Sequence, residues 1–248
     1  MIELKSVAEI GKIARASRIV AQLLQELKGR LKAGVTTKEL DLYVAKRIAK
    51  EGGKPAFLGY RGFPATLCVS VNDEVVHGIP SNRVICDGDI VGLDLGVIVD
   101  GFYGDAALTV PIGKVSKEAL RLIRVTEASL YAGIKQARVG GRLTNISHAI
   151  QSCAEADGFS VVTEFVGHGI GRALHEDPQV PNFGPPGQGV RLRAGMVLAI
   201  EPMVNVGKSD VRILEDKWTA VTVDGELSAH FEHTVVITED GPKILSKI

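Results

Sequence analysis

The sequence is poor in cysteine, lacks long apolar runs, and has no excess of charge of either sign. Only three cysteines, Cys68, Cys86 and Cys153, occur in 248 residues. Their odd number and wide spacing argue against a disulfide framework and fit a reducing, cytoplasmic setting. Each reads as a small buried apolar side chain, with Cys68 alone lying near residues of chemical interest. Lys+Arg and Asp+Glu both number 29, so the formal net charge is zero. Without a basic excess nothing points to DNA, and without a polybasic segment nothing points to an anionic membrane. The longest apolar runs, such as Met196 to Ile200, are far too short to span a bilayer. Charge is mixed into Met1-Ile2-Glu3-Leu4-Lys5, so no secretory signal is expected there. No Pro/Gly/Ser-rich linker divides the chain, and Gly184-Pro185-Pro186-Gly187 reads as a loop.

What is present is an ordinary globular composition, 45% hydrophobic and 23% charged. Ser6-Val7-Ala8-Glu9 has the form of a capping box, and Ile10, Ile13, Ala14, Ala21, Leu24 and Leu27 follow at helical spacing. The pattern predicts a helix over about residues 7–28. Thr36-Thr37-Lys38-Glu39 is a second capping box, opening a helix that stops at Gly52-Gly53. Lys117 to Gln136 and Asn145 to Ala156 read as a second long–short helix pair. Ala33-Gly34-Val35 before the first short helix parallels Val139-Gly140-Gly141 before the second, which suggests two related halves. Each pair precedes a β-rich stretch. Asp89 to Val99 and Phe102 to Val110 flank the hairpin turn Asp100-Gly101. Ser160 to Val166, Met196 to Val206 and His230 to Thr238 read as further strands. The expectation is one α+β domain over residues 1–248, with helices outside a curved, mainly antiparallel sheet.

The informative feature is where charge interrupts the strands. Asp94 breaks Ile90-Val91-Gly92-Leu93, Glu201 ends Met196 to Ile200, Glu232 precedes His233-Thr234-Val235-Val236, and Asp105 precedes Ala106-Ala107-Leu108. A carboxylate in an apolar strand needs a partner, a proton or a metal. One such residue is more often a solvent-facing or hydrogen-bonded structural group. Four, together with His168 in Val166-Gly167-His168-Gly169-Ile170-Gly171, are harder to dismiss. Asp94 and Asp105 sit on the two arms of one predicted hairpin, as near cross-strand neighbours. Two carboxylates that close repel unless a cation lies between them. Were all five residues to converge, four carboxylates would balance two divalent ions. Oxygen donors with one imidazole suit Mn, Fe, Co, Zn or Ni.

The chain resembles the type I methionine aminopeptidases, with their pita-bread fold, over nearly its whole length. The carrying motifs are Asn72 to Pro80, Asp89 to Asp94, Asp100 to Asp105, Gly167 to Arg172 with His175-Glu176, Ile200-Glu201-Pro202, and Ser228 to Thr234. The resemblance implies a monomeric enzyme that removes methionine from the N-terminus of a nascent protein, preferring a small second residue, with ribosome contact as a further expectation. By that rule the chain's own Met1-Ile2 stays uncut. The resemblance also implies that Asp94 binds one metal ion, His168 and Glu201 the other, and that Asp105 and Glu232 bridge. His77 would contact the scissile amide and His175 its carbonyl oxygen. Glu201 would move the proton.

By the same similarity the methionine pocket comprises Phe57, Tyr60, Phe63, Cys68, Leu174 and Trp218. Loop packing is the alternative for Tyr60 and Phe63. The family often has a cysteine at Phe57, a tyrosine at Phe63 and an aromatic residue at Leu174. Three histidines are set aside: His148 as structural on its helix, and His230 and His233 as flanking Glu232, with His233 on the opposite strand face. Proline-specific aminopeptidases share the architecture but usually carry a large extra N-terminal domain. A non-enzymatic relative would lose ligands, whereas all five are present.

Overall fold

The computed structural model describes residues 2–248, so Met1, expected to be retained, lies outside the described residues. Both predicted capping boxes form. Glu9 Oε2 accepts from Ser6 N at 2.8 Å while Ser6 Oγ accepts from Glu9 N at 3.4 Å, opening α1 (Val7–Arg30). Thr36 and Glu39 do the same for α2 (Thr37–Lys50). The second pair is α3 (Lys117–Gln136) and α4 (Leu143–Ala156), the latter starting before the predicted Asn145 and without a side-chain cap. The helix stripes bury Val20, Leu23 and Leu27 of α1 with Leu40, Val44 and Ile48 of α2 in one core, and Leu122 and Leu130 of α3 with Ile146 and Ile150 of α4 in another. Each such aliphatic side chain contributes about 1.5–3 kcal/mol by leaving water.

The helices cover a nine-stranded antiparallel sheet. Its central path runs Ile90–Val99, Phe102–Pro111, Glu232–Thr238, Val197–Ile200, Gly167–Gly169. The hairpin turn falls at Asp100-Gly101 as predicted, where Asp100 (φ 50) and Gly101 (φ 78) both take left-handed backbone. Its register refines the expected pairing. Asp94 lies opposite Ala107 and Asp105 opposite Gly96, so the two carboxylates are diagonal rather than direct neighbours on one face.

Three predicted strands are corrected. Met196 to Val206 divides at Glu201-Pro202 into Val197–Ile200 of the large sheet and Met203–Asn205 of a three-stranded sheet. His230 to Thr238 likewise divides at Phe231, with Ser228–His230 joining the small sheet and Glu232–Thr238 the large one. Both chains change sheets together, and Met203 pairs with His230 just beyond the switch. Pro202 has no N–H for a ladder, which places the break. Ser160 to Val166 shortens to Ser160–Val161.

The repeat extends to individual hydrogen bonds. Gly34 (φ 94) donates to Ile85 O and Gly140 (φ 83) to Leu192 O, each at 2.9 Å. Ile85 N returns to Val35 O, and Leu192 N to Gly141 O. Gly88 and Gly195, with φ 95 and 88, then turn the chain into the strand that follows. In this correspondence Asp94 matches Glu201. The hairpin registers, with Asp94 opposite Ala107 and Ile200 opposite His233, then match Ala107 with Glu232 and Asp105 with His230. The pseudo-two-fold axis therefore passes through the acidic patch.

Candidate metal centre

The sheet switch points and the hairpin bring all five predicted ligands to one place. Asp105, His168 and Glu232 present donor atoms within 4.8 Å of one another. Glu201 Oε1 lies 3.4 Å from His168 Nε2. Asp94 occupies the diagonal position beside Asp105. His168 Nδ1 is 2.9 Å from the carbonyl oxygen of Gly169, which can only accept. Nδ1 therefore carries the proton and Nε2 offers its lone pair to the cluster.

Two threonine hydroxyls fix the strands around the cluster. Thr234 Oγ1 donates to Asp105 O at 2.7 Å and accepts from Asp105 N at 3.1 Å. Thr109 Oγ1 does the same to His230 O and N, at 2.9 and 3.0 Å. Asn182 Nδ2 donates to Glu201 O at 3.0 Å.

Asp94 Oδ1, Asp105 Oδ1, Glu232 Oε1 and His230 Nε2 are buried and have no hydrogen-bond partner among the described residues. Orphaned buried polar atoms are costly, and here they converge. Burial pushes the Glu201 carboxyl up to about 8 and the Asp94 carboxyl up to about 7. Burial and then the neighbouring carboxylates push Asp105 and Glu232 well above the usual range. Positive charge is what would hold this set ionised, and oxygen donors with imidazole fit a divalent cation.

Above the cluster opens a cavity of about 360 Å³, and every predicted site residue lines it. Its wall includes Phe57, Phe63, Cys68 and Leu174, all buried, with Tyr60 and Trp218 half-buried. Trp218 meets Phe63 edge-on at 5.1 Å between ring centroids, and Asp216 anchors its backbone by accepting from Trp218 N and Thr219 N. Tyr60 and Phe63 are thus both packing groups and wall groups. Burial, then the nearby Asp94 charge, raises the Cys68 thiol and keeps it neutral.

His77 takes left-handed backbone (φ 61), and its ring packs edge-on against Phe165 and Trp218. Burial pushes it down to about 4. His175 lies 4.2 Å from His168 between ring centroids, and Tyr60 Oη is 2.7 Å from its Nδ1. The loop carrying His175 is tied down by Glu176, which accepts from Arg172 N and Ala173 N and pairs with the buried Lys5 at 2.6 Å.

Sequence reasoning missed part of this site. His230, set aside as a flanking residue, is buried with Nε2 3.6 Å from Glu201 Oε2. Phe165 and Met203 also line the cavity, and no local pattern marked them. His148 lies exposed on α4 beside Ser152, away from the cavity. His233 is set apart as expected, between Ser246 and Tyr131.

The sequence model of metallopeptidase family M24 matches residues 11–239. Methionine aminopeptidase 1 of Bacillus subtilis is 54% identical over 248 residues, with 100% of each chain covered. The crystal structure of a methionine aminopeptidase from Thermotoga maritima superimposes with a TM-score of 0.99 at 48% identity, covering 100% of both chains. A prolidase from Pyrococcus furiosus shares the fold, with a TM-score of 0.82 at 22% identity over 99% of this chain and 65% of its own. The chain belongs to metallopeptidase family M24, on its methionine aminopeptidase branch.

Proposed function

We propose that the protein hydrolyses the first peptide bond of chains that begin with methionine, preferring a small second residue. The observation that carries this reading is the convergence of unpartnered carboxylate oxygens, beside His168, at the floor of an apolar and aromatic cavity. The residues that would hold two divalent cations (Mn, Fe, Co, Zn or Ni) are Asp94 for one, His168 and Glu201 for the other, and Asp105 and Glu232 for both. Bound there, such cations supply Lewis acidity, offset the four carboxylate charges, accept a free amine and make water a nucleophile at neutral pH.

The chain's own groups do the rest. Glu201 takes the proton from the attacking water and passes it to the leaving amine. His175, neutral through burial and with Nδ1 2.7 Å from the Tyr60 hydroxyl, acts in the tautomer with its proton on Nε2, as a donor to the carbonyl oxygen where charge develops. His77, neutral through burial, faces the scissile amide. Phe57, Tyr60, Phe63, Cys68, Leu174 and Trp218 receive the methionine side chain and keep water away from it. The substrate is the N-terminus of a nascent chain, met near the ribosome by a cytoplasmic monomer. Three free cysteines support a reducing compartment.

The test is cleavage of Met-Ala-Ser by protein supplied with Mn or Co. Met-Ala-Ser is expected to be cut and its N-acetylated form to survive. Turnover of Xaa-Pro peptides without turnover of Met-Ala-Ser would overturn the substrate assignment.

A further inference from the structure

His230 is the one buried, chemically capable side chain at the centre to which no task has been given. It sits at the end of Ser228–His230, one residue before the chain crosses from the small sheet to the large one. Thr109 Oγ1 holds its backbone from both sides, so the side chain enters the site from a fixed point. By the pseudo-two-fold correspondence it is the counterpart of Asp105. Its exposure is 4%, and its Nε2 has no hydrogen-bond partner among the described residues.

What Nε2 faces is Glu201. Glu201 Oε2 lies 3.6 Å from His230 Nε2, while Oε1 lies 3.4 Å from His168 Nε2. Two imidazoles therefore flank one carboxylate, each toward a different oxygen. The backbone of Glu201 is already fixed by Asn182. The carboxylate itself can still turn, and its terminal torsion is soft. At 3.6 Å the Nε2 contact is just beyond hydrogen-bond range, and a small rotation of that torsion closes it.

We propose that His230 is a positioning residue for Glu201: its Nε2–H holds Oε2, so that Oε1 stays turned toward His168 and the metal-binding cluster. The inference rests on the reading that Glu201 moves the proton. A carboxylate transfers a proton faster when one oxygen is held in the productive geometry, and a fixed N–H donor on its other oxygen holds it there. His230 lies outside the Asp105–His168–Glu232 triangle, and its Nε2 faces Glu201 Oε2 at 3.6 Å.

The experiment compares His230→Ala, His230→Gln, Glu201→Gln and the double variant His230→Ala/Glu201→Gln, all melted first to establish folding. On Met-Ala-Ser, His230→Ala is expected to lower kcat about 10–100-fold with KM nearly unchanged. His230→Gln keeps an N–H donor and is expected to recover most of that loss. In the Glu201→Gln background the alanine substitution is expected to add no further loss, because the two residues act as one unit. Two readouts do not depend on turnover. Calorimetric titration with Mn is expected to give the same affinity for His230→Ala as for the parent protein. The ¹⁵N spectrum of the imidazoles is expected to show His230 Nε2 protonated both before and after Zn is added. Wild-type kcat in His230→Ala, with Glu201→Gln inactive, would overturn this inference alone. Wild-type kcat in Glu201→Gln would overturn the proton-transfer reading and this inference with it. Loss of the Nε2 proton on adding Zn, with weakened Mn binding in His230→Ala, would make His230 a ligand instead and refute the positioning role.

Discussion

Replacing Thr234 by Val removes one hydroxyl and almost no volume, and it strikes the strand that carries Asp105. Thr234 is fully buried, and its Oγ1 serves both Asp105 N and Asp105 O. Valine leaves that N–H and that C=O without partners, in a site closed to water. An orphaned buried group costs about 1–3 kcal/mol, so the pair together costs about 2–6 kcal/mol. In a protein of this size each kcal/mol shifts the melting temperature by about 2–4 °C, giving an expected fall of about 4–24 °C. Scanning calorimetry at pH 7.5 without added metal measures it. Thr234→Ser keeps the hydroxyl and should stay much closer to the parent. Because Asp105 loses its anchor, Mn affinity should also fall about 10–100-fold in the valine variant. A valine variant that melts within about 2 °C of the parent would refute the idea that this hydroxyl clamps the strand.

His233 is pushed down to about 4 by burial, then by Lys247. Folded His233 resists the proton that the unfolded side chain accepts, so its contribution is full above pH 6.5 and is lost as the pH falls toward 4. Between pH 6.5 and 5 the loss is about 2 kcal/mol, and His233→Gln should flatten that part of the stability curve; an unaltered slope would contradict it. At Gly104 an added Cβ would meet the backbone of Ser17 in α1, so Gly104→Ala should cost about 1–3 kcal/mol in denaturant unfolding. Trp218→Ala should raise KM for Met-Ala-Ser several-fold and leave kcat nearly unchanged, since the ring stands in the cavity wall; a kcat effect without a KM effect would remove it from the methionine pocket.

Much of this was legible in the sequence because local chemistry agreed with the global fold. The two capping boxes set the starts of α1 and α2 through hydrogen bonds three residues long. Asp100-Gly101 set the hairpin, and with it the shared face of Asp94 and Asp105. The faint likeness of Gly34-Val35 to Gly140-Gly141 reflected equivalent backbone hydrogen bonds in the two halves. The sheet switches were less visible, because an apolar run looks the same whether its chain continues or crosses to a second sheet. Pro202 carried the signal for one of them. His230 was set aside with His233 as a flank of Glu232, although strand alternation places it, two residues before Glu232, on the face that enters the site. The residues named from motifs all reached one cavity, whereas Phe165 and Met203 came to it through tertiary packing alone.

In the proposed function the buried acids and His168 form a metal centre that does the hydrolysis. The most direct measurement follows Met-Ala-Ser cleavage by chelator-treated protein as Mn is added back, beside an Asp105→Asn variant. Turnover is expected to vanish after chelation, to return as Mn binds the parent protein, and not to return in Asp105→Asn. Full turnover in the chelated protein, or full recovery in Asp105→Asn, would contradict it.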